Sequence, residues 1–111
     1  MLVDFNTMEA VEMPCLWNGG GVMSSKMFID DKGNKFIKAA IRPGGAFGKH
    51  NHSGSMDIVY VLEGEGIAVC DGAEERLVPG VCHVCPDGSE HQFKNTGDSD
   101  LVILTFVPKI A

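Results

Sequence analysis

GVCHVCPDGSEHQFKN, residues 80–95, opens on a CxxC pair and closes on a histidine, and its meaning turns on the conformation of residues 81–85. A zinc or redox pair would need Cys82 and Cys85 to converge. The alternation of Val81, His83 and Cys85 with Cys82 and Val84 reads instead as a strand, on which positions three apart point to opposite faces. The two thiols then diverge and behave as small buried thiols of a strand. His83 shares a face with Cys85, where it can look into a cavity as a supporting group or proton shuttle. Phe93 shares the face of His91 and forms a cavity wall.

Outward from this stretch, turn signals recur at short intervals between apolar runs, and no segment keeps a helical period for three turns. The chain reads as all-β. SKMFID and KFIKAAIR flank DKGN as a hairpin; DDKGN lacks the later ligands and closing glutamate of a calcium loop. GIAVC and EERLV flank DGA, where Asp71-Gly72 suits a tight primed turn. DIVYVL (57–62) and LVILTFV (101–107) are apolar on both faces, as strands covered on both sides are, and in so small a domain the outer cover is expected to be a second copy. Residues 1–25, with Trp17 beside Gly19, Gly20 and Gly21, read as an arm that packs on the barrel or on a partner; residues 26–111 read as the barrel domain.

KHNHSGSMD, residues 49–57, poses the functional question. On a strand, residues i and i+2 point to the same face, so His50 and His52 can offer two imidazoles to one point, with Asp57 opening the return strand. Two histidines in a polar loop can equally be solvated, and the pair alone does not choose.

The longer pattern does. Gly80, Pro86, Gly88, His91 and Asn95 stand at spacings that resemble the second signature motif of the cupin superfamily, and Gly44, His50, His52 and Gly64 resemble the first. Five such identities would arise by chance on the order of 10⁻⁴ times over a chain of this composition. The resemblance covers residues 44–95 and implies a small antiparallel β-barrel of jelly-roll type, the double-stranded β-helix of a single-domain cupin. It also implies a metal held by His50, His52 and His91, although metal-free members of the superfamily would keep the same histidines in a polar cavity. The pattern has glutamate where this chain has Asp57, a side chain shorter by about 1.5 Å. Asp57 is then a direct ligand on a closer strand, a ligand through water, or a group behind a three-histidine site. Three imidazoles with or without a carboxylate suit one divalent ion of iron, manganese, nickel, copper or zinc and leave a position open for water or substrate.

Composition narrows the function classes. The chain has 111 residues, 15 acidic against 9 basic, and a net charge of -6, which disfavours nucleic acid as a partner. No stretch approaches the roughly 18 consecutive apolar residues of a membrane span. Cys15, Cys70, Cys82 and Cys85 form no disulfide framework and the N-terminus has no signal-peptide pattern, so a cytoplasmic location is expected. The leading expectation is a small metalloenzyme of dioxygenase, isomerase, decarboxylase or lyase type on a small oxygenated organic substrate, as a homodimer. The rival is a non-enzymatic binding or sensing protein with the same pocket, with or without metal; a purely structural module would leave the three histidines unexplained. An enzyme needs an acid or base beyond the ligands, for which His83 and Glu90 are candidates and Lys38 and Arg42 further ones, with strand parity through Pro43, Gly44 and Gly45 open to a bulge.

Overall fold

A computed structural model describes residues 1–15, 20–51 and 54–110 of the chain, and of residues 47–51 the backbone alone. Its strands are β1 (Val11–Pro14), β2 (Val22–Ile29), β3 (Lys35–Ile41), β4 (Ala46–Asn51), β5 (Asp57–Glu63), β6 (Gly66–Cys70), β7 (Ala73–Leu77), β8 (Cys82–Cys85), β9 (Glu90–Asn95) and β10 (Leu101–Val107). A single 3₁₀ turn, Phe5–Thr7, precedes them among the described residues. All named pairings are antiparallel, in a six-stranded sheet ordered β1-β2-β3-β10-β5-β8 and a four-stranded sheet ordered β4-β9-β6-β7. From β3 to β6 and again from β7 to β10 the chain changes sheet at every connection, which is the jelly-roll way of closing two sheets on one core. No helix among the described residues is long and apolar enough to cross a membrane.

Turn chemistry joins the hairpins as the sequence reading expects. Asp71 and Gly72 both have positive φ, 49° and 84°, the type I′ geometry whose twist matches the flanking strands. Between β2 and β3 the Asp30 carboxylate accepts from the backbone N–H groups of Lys32 and Asn34 and from the Asn34 side chain, all at 2.9 Å, so the loop is closed by its own side chains. Gly64 shows why a motif position must be glycine: its φ is 84°, and a Cβ there would lie 2.4 Å from the Asp100 carbonyl oxygen.

Period-2 alternation builds the core. Val59 and Val61 of β5, Leu101 and Ile103 of β10, and Ala39 and Ile41 of β3 face Ala68, Leu77 and Phe93 of the smaller sheet. The opposite face of the larger sheet is also apolar. One cross-strand row there runs Phe28, Phe36, Phe106, Ile58, Val84, with Phe28–Phe36 and Phe36–Phe106 ring centroids 6.2 and 6.1 Å apart.

The N-terminal segment is part of the sheet. β1 pairs with β2 from Val11↔Ser25 to Pro14↔Val22, Cys15 enters the core, and Gly20 bridges to Ala46. β2 therefore runs through residue 25, where the sequence reading ended the arm. Trp17 and Gly19 lie outside the described residues.

Candidate metal centre

Strand parity turns a carboxyl and two imidazoles into the barrel. Asp57 begins β5 on the same face as Val59 and Val61, and its burial pattern alternates from that residue on. His83 and Cys85 are the buried positions of β8, and His91, Phe93 and Asn95 those of β9. The side chains of His91 and His83 are 0% and 1% exposed and that of Asp57 8%. Polar groups so buried are costly unless they bond to one another.

They meet in a line that crosses between the sheets. Asp57 Oδ2 lies 3.3 Å from His91 Nε2; His91 Nδ1 lies 2.9 Å from His83 Nε2; His83 Nδ1 lies 2.6 Å from Glu75 Oε1. The two imidazoles stack with centroids 5.2 Å apart and planes 15° from parallel, and Phe93 meets the His91 ring edge-on at 5.6 Å. Glu75, on the edge strand β7, carries the line to a half-exposed carboxylate. Sequence reading does not single out Glu75. Its parity with buried Leu77 puts it on the inner face, but nothing in EERLV indicates that a histidine of the other sheet stands within reach.

The Cys85 thiol is an inert neighbour. The CxxC pair diverges as strand parity requires, but only Cys85 is buried: Cys82, on the outer face of β8, is exposed, against the reading of both as buried thiols. Burial pushes the Cys85 thiol up to about 12, helped by the adjacent Cys70 thiol and the Asp57 charge. Burial likewise raises Cys70.

The other candidates separate by position. The His50 backbone is in register with His91, and the β4–β9 pairing shifts by one residue between Phe47 and His50. The bulge considered near Gly44 and Gly45 is a turn, closed by Gly45 N–H to the Arg42 carbonyl, and the irregularity comes later in the strand. The His50 side chain and all of His52 lie outside what the structure describes. Glu90 is exposed on the face of β9 opposite to His91. Arg42 is on the surface, paired with Glu12, and Lys38 is on the outer face of β3, opposite Leu104. These three do not line the inner face beside Asp57. Asn95, a motif residue, is structural: its Nδ2 donates to the carbonyls of Ile41 and Ser99 at 2.9 and 2.8 Å, and its Oδ1 accepts from Gly97 N–H at 2.9 Å.

Among the described residues no three ligating side chains converge on one point. The pair that does meet fits a metal. Two ligands at about 2.0–2.2 Å from one ion stand about 2.8–3.1 Å apart in octahedral geometry and about 3.3–3.6 Å apart in tetrahedral geometry. Asp57 Oδ2 and His91 Nε2, at 3.3 Å, stand at the tetrahedral separation.

A family model described as a cupin domain matches residues 38–107. An oxalate-binding protein of Thermotoga maritima is 31% identical over 83 residues, which cover 75% of this chain and 69% of that protein. Among solved structures, one of a predicted oxalate decarboxylase from Thermotoga maritima superposes with a TM-score of 0.90 at 24% identity, covering 99% of this chain and 100% of its own. The structure of KdgF from a Halomonas species superposes with a TM-score of 0.69 at 24% identity over 78% of this chain and 79% of its own.

Proposed function

This chain belongs to the cupin family, and we propose that its barrel holds one divalent transition metal through His50, His52, Asp57 and His91 and uses it to capture a small carboxylate of the oxalate class. The observation that carries the reading is the buried Asp57–His91 pair, a hard oxygen and an imidazole nitrogen 3.3 Å apart on the inner face. The His50 backbone stands directly across from His91 in the sheet. When bound, the ion supplies a Lewis-acid centre of the iron, manganese, nickel, copper or zinc kind, able to polarise a carboxylate or carbonyl oxygen. The protein's part is to orient the ligand set and exclude water, which the surrounding Phe93, Val59 and Cys85 do. The ligand class is supported by the relative named as oxalate-binding.

A metalloenzyme acting on the same carboxylate is the second reading, and of the candidate acids and bases only His83 faces the barrel. Glu90, Lys38 and Arg42 lie outside the inner face, and His83 is engaged at both ring nitrogens. Elemental analysis of protein purified without added metal, followed by calorimetric titration with oxalate, other small carboxylates and sugars, tests the proposal. A metal near one equivalent and carboxylate binding that a chelator abolishes are expected. Carboxylate binding of equal strength in the stripped protein would reject the metal's role, and conversion of the bound carboxylate to product would restore the enzyme.

A homodimer in the cytoplasm belongs to the same reading. It is supported by the apolar outer row of the larger sheet and by four cysteines that stand free.

A further inference from the structure

Hydrogen-bond bookkeeping along the buried line assigns a role to two residues that hold no metal themselves. A carboxylate oxygen only accepts, so the 2.6 Å contact at Glu75 Oε1 places the hydrogen of His83 on Nδ1. A neutral imidazole has one donor and one acceptor, so His83 Nε2 accepts, and the 2.9 Å contact makes His91 Nδ1 the donor. With His91 neutral as well, its Nε2 carries no hydrogen and presents its lone pair 3.3 Å from the acceptor Oδ2 of Asp57. Two acceptors at that separation are matched by a cation between them.

We propose that Glu75 and His83 are positioning residues which hold His91 as its Nδ1–H tautomer and deliver the Nε2 lone pair to a metal beside Asp57. The proposal rests on the metal-site reading above. Orientation is held as well as tautomer. The His83 ring stacks on His91 from one side, Phe93 meets it edge-on, and the three strands involved, β7, β8 and β9, come from both sheets. Closing the barrel therefore sets the ligand before any ion arrives, because the line is made only when the larger sheet brings β8 against β7 and β9 of the smaller one. A carboxylate behind a ligating histidine fixes the tautomer and raises ligand basicity in metal sites generally; here a second imidazole is inserted between the two, which lengthens the reach from the barrel interior to the edge strand.

The opposite polarity makes a distinct prediction. If His91 instead donates from Nε2 to Asp57, one of the two rings is an imidazolium: either His83 donates from both nitrogens, to His91 and to Glu75, or His91 donates from both, to His83 and to Asp57. Long-range imidazole ¹⁵N–¹H correlation spectra of metal-free, ¹⁵N-labelled protein separate the two. The expected spectrum has His91 protonated at Nδ1 and bare at Nε2. In His83→Leu, His91 should move toward the Nε2–H form, and His83→Gln, whose carboxamide oxygen can accept from Nδ1–H, should restore the wild-type pattern. Competition of Zn²⁺ against a chelator gives the second readout: His83→Leu should lower zinc affinity about 10- to 100-fold, and Glu75→Ala about 10-fold. A wild-type His91 protonated at Nε2, or a folded His83→Leu variant that binds zinc as tightly as wild type, overturns the proposal. Wild-type protein that binds no zinc overturns the metal site itself, while the spectra still decide what holds His91. Should His83→Leu fail to fold, Glu75→Ala replaces a half-exposed edge-strand residue and carries both readouts.

Discussion

Replacing Asn95 with alanine separates a motif residue's structural work from the metal site. Asn95 is 4% exposed and makes three side-chain hydrogen bonds, to the Ile41 and Ser99 carbonyls and from Gly97 N–H. Each is worth about 1 kcal/mol net, and the buried Ile41 carbonyl loses a partner that water cannot easily replace, so the Asn95→Ala loss should be about 3 kcal/mol. For a domain of this size that is a fall in melting temperature of about 10–15 °C. The Asn95→Asp variant has nearly the same shape and keeps the bond from Gly97, but sets carboxylate oxygen against two carbonyl oxygens at 2.9 and 2.8 Å; its loss should equal or exceed that of alanine. Thermal and urea unfolding of metal-free wild type and both variants measure this. Because Asn95 ties β9 to the end of β3 and ligates nothing, folded Asn95→Ala protein should still bind metal. An alanine variant that melts within about 3 °C of wild type would refute the reasoning, since three buried bonds would then have contributed almost nothing.

Asp57→Ala should weaken metal binding beyond the 10- to 100-fold typical of a lost supporting group, whereas Asp57→Glu should retain binding with altered geometry; chelator competition checks both, and an alanine variant as tight as wild type removes Asp57 from the site. Exposed Cys82 should alkylate promptly at pH 8, but Cys85 only on unfolding, as quantified by mass spectrometry. The Cys85 thiol is raised from 9.0 to about 12 in the fold, so between those values the unfolded chain gives up its proton first, and this group's contribution to stability should be lost as pH rises through that window, seen as a smaller alkaline decline in Cys85→Ala. Light scattering should report a dimer, whose interface buries more than about 1,000 Å². Tyr60→Asp, at a 39% exposed site on the outer face, should give a folded monomer; a wild-type monomer at tens of micromolar would reject the interface.

Much of the fold was legible because its signals are local. The positive φ of Asp71 and Gly72 follows from their dipeptide, and the residues of β10 are those of the LVILTFV run. Alternation told that Cys82 and Cys85 diverge, and the same alternation sets Glu90 on the opposite face from its neighbour His91. The sequence also made Asp57 the point where the chain leaves the cupin pattern, and strand parity alone turned it inward with Val59. Other features needed the tertiary structure. The pairing of β1 with β2, the register shift between Phe47 and His50, and the placement of Glu75 beside His83 join segments whose sequences carry no mark of one another. Side-chain parity and turn type are decided within a few residues by backbone sterics. Which side chains meet across the barrel is decided by how two sheets close on a shared core, and the hydrogen-bonded line from His91 to Glu75 exists only at that closure.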